Sequence, residues 1–141
     1  MNLGREALPE NAIHLKTRAA WRSWLVAHHA RGEGVWLVSY KKATGLARFD
    51  YGAAVEEALC FGWVDSTANK LDERRSMLWF APRKARSGWS RPNRIRIATL
   101  TEAGLMTEAG FAKVRAARIE ETARMAALNL RANQRVPPVV R

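Results

Sequence analysis

Between residues 82 and 93 the chain reads PRKARSGWSRPN, which sets Arg83, Lys84, Arg86 and Arg91 beside Ser87, Trp89, Ser90 and Asn93 with no carboxylate among them. A helix start leaves its first N–H groups unpaired and carries a partial positive charge. If Ser90 caps a helix, Ser87, the Ser90 turn and the backbone ahead of Asn93 can cradle a phosphate, with the arginines supplying charge. Lys41 and Lys42, close to a strand, and Asp65 at the start of another complete the expected cleft, in which Asp65 pairs with Lys41 or Arg83. Trp36, Trp63, Trp79 and Trp89 lie near basic residues, and of these Trp63 and Trp89 are the candidates to stack on a base or sugar, because bases stack on rings while cations follow the backbone. The plainer reading is that Ser90 only caps its helix, Trp89 fills the core, the arginines are solvated and Asp65 ties two strands.

Catalysis has less to stand on. Cys60, the single cysteine, lies near the end of an apolar segment with no histidine close in sequence, so it reads as a small buried group and not a nucleophile. Glu57 and Asp65 have the residue types of an acid/base pair but nothing that places them in one cleft. His14, His28 and His29 lack the spacing of a metal site. No catalytic residue, metal or cofactor is expected.

The elements that must hold these residues are legible as hydrophobic spacing. Thr17 caps a helix with Trp21, Trp24, Leu25 and His28 at i, i+3, i+4 and i+7. GVWLVSYKK followed by ATGLARF suggests a β-hairpin. Asp50 caps a second helix carrying Tyr51, Ala54, Val55, Ala58 and Leu59 and ending at Gly62. GWVDST and SMLWFAP are two further strands joined by NKLDERR; their alternation sends Trp79 and Phe80 to opposite faces. Ser90 and Pro92 open a third helix with Ile95, Ile97, Ala98 and Leu100, stopping at Gly104. Thr107 and Glu108 open a fourth, through Phe111, Val114 and Ala117 to about Leu128.

This pattern predicts one α+β domain: a small antiparallel sheet of three to four strands packed by about four helices, the last two paired. Residues 1–16 are an N-terminal extension, 17–128 the domain, and 129–141 a basic, mobile tail containing Pro137 and Pro138. A chain of 141 residues with 48% hydrophobic content can build a single ordinary core. The formal charge of +11 and a pI near 11.0 favour an anionic partner, nucleic acid first. The charge is clustered, with eight basic residues and no acidic one from Arg74 to Arg96. No stretch has the length of a membrane span and the N-terminus lacks a signal-peptide pattern, so a cytoplasmic protein is expected.

The order of WRSWLVAHH, GVWLVSYKK, ALCFGWVDS, FAPRKARSGWSRPN and LTEAGLMTEAG resembles the bacterial YdeI/OmpD-associated family, also labelled bacteriocin-protection proteins. The resemblance spans about Ile13 to Arg118. Its motif positions fall on Trp36, Lys41, Lys42, Glu57, Cys60, Gly62, Trp63, Asp65, Phe80, Pro82, Arg83, Ser87, Trp89, Ser90 and Asn93. It departs after Arg118, where IEETARMAALNLRANQR replaces the family's Gly-x-Trp segment. The resemblance implies a role in stress or bacteriocin protection but no reaction. Residues and resemblance together predict a binding protein with nucleic acid as leading ligand, and a small phosphorylated metabolite or a protein-interaction role as alternatives. Replacing Arg83 and Arg86 together is expected to spare the fold and weaken anion binding.

Overall fold

The computed structural model describes residues 7–135. Strand β1 (Ala12–His14) is followed by α1 (Arg18–His28), β2 (Val35–Tyr40), α2 (Tyr51–Cys60), β3 (Trp63–Lys70), β4 (Arg75–Pro82), α3 (Arg91–Glu102) and α4 (Glu108–Arg135). Four helices pack with one four-stranded sheet, in the order β1-β2-β4-β3, as a single α+β domain.

The helix starts follow from their caps. Thr17 accepts from the Ala20 N–H at 3.1 Å, Asp50 from Ala53 at 2.7 Å and Ser90 from Asn93 at 3.2 Å. Each satisfies one donor that the first turn leaves free, an interaction worth about 1 kcal/mol. The final helix begins after Thr107, whose hydroxyl accepts from the Gly110 N–H while donating to the Cys60 carbonyl at 2.6 Å. That places the start of α4 against the end of α2, so closely that a Cβ on Gly110 would lie 2.4 Å from the Cys60 oxygen.

Three sequence expectations are corrected. The hairpin does not form: residues 42–44 make one 3-10 turn closed by Gly45 at φ 69°, and β2 pairs with β4, from Val35 opposite Phe80 to Tyr40 opposite Arg75. ATGLARF lacks the β-branched and aromatic run of a strand, whereas SMLWFAP carries apolar side chains to both faces. Residues 12–14, taken as part of an extension, are a strand pairing in parallel with β2, so the sheet is mixed and not wholly antiparallel. Finally, α4 continues past Asn129 to Arg135, because LNLRANQR contains good helix formers and no breaker before Pro137. Pro137 and Pro138 lie outside the described residues.

The core forms between α1, α2 and one sheet face. Trp21 and Leu25 from α1, Val55 and Leu59 from α2, and Val35, Phe80 and Trp63 from the sheet are all essentially fully buried. Each such side chain contributes about 1.5–3 kcal/mol by leaving water. The stripe on α1 is narrower than its spacing suggests: Trp24 is half-buried and His28 is exposed, stacked on Trp24 at 4.6 Å between ring centres. Phe80 turns into the core and Trp79 to the opposite face, where it meets Trp36 edge-on at 5.2 Å.

A buried ion cluster ties α1 to α2. Glu57, 3% exposed, accepts from Arg18 Nε at 2.7 Å and Arg22 Nη1 at 3.0 Å, while Arg22 Nη2 donates to the Leu105 carbonyl at 2.9 Å. Glu57 thus ties α2 to α1, and Arg22 extends the link to the turn after α3.

Candidate functional site

The start of α3 borders an open cavity of ≈ 540 Å³. From the loop after β4 come Ser87, Trp89 and Ser90; from α3 come Asn93 and Arg96; from the sheet comes Asp65; from α2 comes Tyr51. The strand register explains Asp65, which sits opposite Phe80 and beside α2, so its carboxylate accepts from the Tyr51 hydroxyl at 2.6 Å. That hydrogen bond, with burial and the carboxylate's charge, raises the Tyr51 pKa above its ordinary value, while the nearby Arg96 cation opposes the shift. Arg96 Nη1 donates to Asn93 Oδ1 at 3.1 Å, one helical turn earlier.

Of the sequence-expected site, Asp65, Ser87, Trp89, Ser90 and Asn93 converge here. Lys41 and Lys42 do not. They follow β2 beside Arg74, at the end of the sheet remote from Arg83, about 30 Å away along β4 at roughly 3.3 Å per residue. The expected Lys41–Asp65 pairing is replaced by the Tyr51 hydrogen bond. Trp63 is also removed from the site: it is 1% exposed, and its indole N–H donates to the His29 carbonyl at 3.0 Å.

Arg83 is a structural residue and not a surface cation. It is 3% exposed, donates through Nη2 to the Ser87 carbonyl and, at 3.1 Å, to Glu120, and its guanidinium lies over the Trp89 ring at 4.9 Å. Glu120 also accepts from the Arg86 N–H at 2.9 Å, which holds exposed Arg86 in a left-handed turn at φ 68°. One carboxylate on α4 therefore shapes the loop that presents Ser87 and Trp89. The expectation that Arg83 can be replaced without cost to the fold is corrected accordingly. Ser87 Oγ donates to the Lys84 carbonyl at 2.6 Å, completing the turn.

Two buried donors here, Arg83 Nε and Trp89 Nε1, find no hydrogen-bond acceptor among the described residues. Lys84, Arg86 and Arg91 are exposed on the loop and first turn that form the cavity edge. The cluster of basic residues is thereby divided: Arg75 and Arg83 are buried in ion pairs with Asp72 and Glu120, and the remainder face outward or half outward.

Sequence reasoning missed Tyr51 and Arg96. Tyr51 was assigned to an apolar helix face, yet it is 53% exposed. Its position directly after the Asp50 cap, on the first turn, was the available signal. Arg96 stood in the basic run, and its three-residue spacing from Asn93 marks a helical neighbour.

The other chemical candidates lie elsewhere. Cys60 is fully buried, and burial pushes its thiol pKa up although a hydrogen bond from Arg22 acts against this. Glu57 faces the α1 arginines and Asp65 faces Tyr51, so they share no cleft. Among the described residues no cluster of three or more His, Cys, Asp or Glu side chains converges, and no helix is long and apolar enough to cross a membrane.

No curated protein and no solved structure matches the chain. The loop and cavity just described fall within residues 13–113, which match the family model of a domain of unknown function, DUF8412, and the chain belongs to that family.

Proposed function

We propose that the chain binds a phosphate-bearing ligand at the start of α3, with single-stranded nucleic acid as the leading ligand, in the cytoplasm. The observation that supports this most directly is the meeting of Ser87, Trp89, Ser90, Asn93 and Arg96 around one open cavity, with Lys84, Arg86 and Arg91 exposed on the same loop and helix start. A phosphate there meets the positive end of α3, the Ser90 hydroxyl and the Arg96 guanidinium. Arg83 covers one face of Trp89, so a base stacks on what remains of that ring or on exposed Tyr51.

A small phosphorylated metabolite is the second reading, favoured by the Tyr51–Asp65 pair. A carboxylate in the cavity repels a continuous polyanion but recognises a hydroxyl or amino group attached to a single phosphate. The kinship with YdeI/OmpD-associated proteins, and with it a protective role, is likewise our proposal; it rests on the strings ALCFGWVDS and FAPRKARSGWSRPN. We propose no catalytic step.

The test is a fluorescence-anisotropy titration of a labelled single strand and a labelled duplex, at low and at physiological salt. The nucleic-acid reading expects single-strand binding that persists at physiological salt, falls steeply as salt rises, and weakens by about tenfold in Arg96→Ala. Binding confined to low salt and unchanged in Arg96→Ala would sink it. The same cavity would then be titrated with nucleoside monophosphates, comparing wild type with Asp65→Asn.

A further inference from the structure

Among the described residues, nothing packs over the second half of α4. Every residue from Glu121 to Ala132 is exposed, including Met125 at 53% and Leu128 at 54%. Helices draw most of their stability from packing an apolar face. On the same helix, upstream, Phe111, Val114, Arg118 and Glu121 line an apolar groove of ≈ 720 Å³ whose other wall includes Ile97 and Thr101 of α3. Among the described residues, the groove and the exposed stripe on the projecting segment both lie open to solvent.

Their spacing connects them. Phe111, Val114, Arg118, Glu121, Met125 and Leu128 recur at alternating intervals of three and four residues, which places them along one stripe of the helix. Laid antiparallel against a second copy with the two-fold axis level with the Ile119–Glu120 peptide, the stripe is self-complementary. Phe111 meets Leu128 of the second copy, Val114 meets its Met125, and Arg118 meets its Glu121. Each contact occurs twice, as a two-fold interface requires. Among the described residues neither Arg118 nor Glu121 is in an ion pair within the chain. The seam covers about 26 Å of each helix at 1.5 Å per residue.

We propose that this chain forms a two-fold homodimer in which the distal half of α4 fills the α3–α4 groove of a second copy. The paired Arg118 and Glu121 side chains set the register, because any shifted alignment leaves these charges facing apolar groups. The apolar ends, Phe111 with Leu128 and Val114 with Met125, supply the burial.

Size-exclusion chromatography with light scattering, across a concentration series into the high micromolar range, tests the proposal on the full chain. Wild type is expected at twice the 15.9 kDa chain mass. Met125→Lys with Leu128→Lys should run as a monomer with unchanged far-UV circular dichroism, since both positions are exposed. Arg118→Glu and Glu121→Arg should each weaken association by about tenfold or more through like-charge contacts. Mixing these two single variants should restore a dimer, because both cross-copy contacts then pair opposite charges, and so should combining them in one chain. A wild type that stays monomeric throughout, a dimer that survives the lysine substitutions, or charge swaps that fail to restore association would each overturn it.

Discussion

Arg83→Ala separates a residue that builds the loop from one that touches the ligand. The guanidinium is 3% exposed, donates to the Ser87 carbonyl and the Glu120 carboxylate, and lies over Trp89. Hydrogen bonds involving a charged group contribute about 1.5–3 kcal/mol each, and a desolvated cation–π contact about 2. Against their loss stands the recovered cost of burying a cation, and Glu120 keeps the Arg86 N–H and some access to water. The net expectation is a destabilisation of about 3–4 kcal/mol, near the lower end of the range for breaking a buried pair. Urea unfolding followed by circular dichroism reads this directly, and the melting temperature should fall by about 10 °C for a chain of this size. Arg83→Lys should regain only a minor part, because an ammonium cannot reach both acceptors in the geometry of the planar fork. Arg86→Ala, at an exposed position, should shift stability by no more than about 0.5 kcal/mol. If Arg83→Ala were as stable as wild type while abolishing anion binding, the guanidinium would be a ligand contact and the account of the loop would be wrong.

Two further outcomes follow from the ion pairs. Arg18→Ala with Arg22→Ala should cost about 3–5 kcal/mol, and Glu57→Ala less, because the double variant strands a buried carboxylate whereas the single one leaves two partly exposed cations that water can solvate; the reverse ranking in urea unfolding would refute the burial argument. On acidification, the hydrogen bond from Arg75 holds the Asp72 carboxyl down at about 2 and that from Arg83 keeps the Glu120 carboxyl below its usual range. A depressed carboxyl contributes stability above its unfolded pKa and loses it as pH falls, so the urea midpoint should decline between about pH 5 and pH 2 and decline less in Asp72→Asn. An unaltered decline in that variant would remove Asp72 from the explanation.

What the sequence made legible was local. Thr17, Asp50, Ser90 and Thr107 mark helix starts because a cap is a contact across three or four residues, visible in the residue order itself. The conjunction of Ser87, Trp89, Ser90 and Asn93 was legible for the same reason. What failed was partner choice across distance. Lys41 and Arg83 both lie close to strand ends, and only the antiparallel register of β2 on β4 shows that the ends are opposite ones. Arg83 and Arg86 are three residues apart and chemically alike, yet Glu120, more than thirty positions later, buries one and takes only the backbone of the other. Tyr51 was misread because an aromatic at helical spacing suggests core, while the first turn of α2 turns it toward Asp65.

Strand β1 bears on a different property, the solubility of the chain. Among the described residues, only its three residues and the neighbouring Asn11 carbonyl, which accepts from the Trp36 N–H at 2.9 Å, pair with the outer side of β2, whose VWLVSY sequence is apolar along most of its length. Without residues 12–14, β2 would present an open row of backbone donors and acceptors on a hydrophobic strand, the arrangement that recruits other chains edge to edge. Parallel pairing across more than twenty residues also forms late, since its loop must close before any contact rewards it. A chain trimmed of residues 12–14 would keep that edge open, so the shortest strand of the fold covers the kind of edge on which other chains can pair.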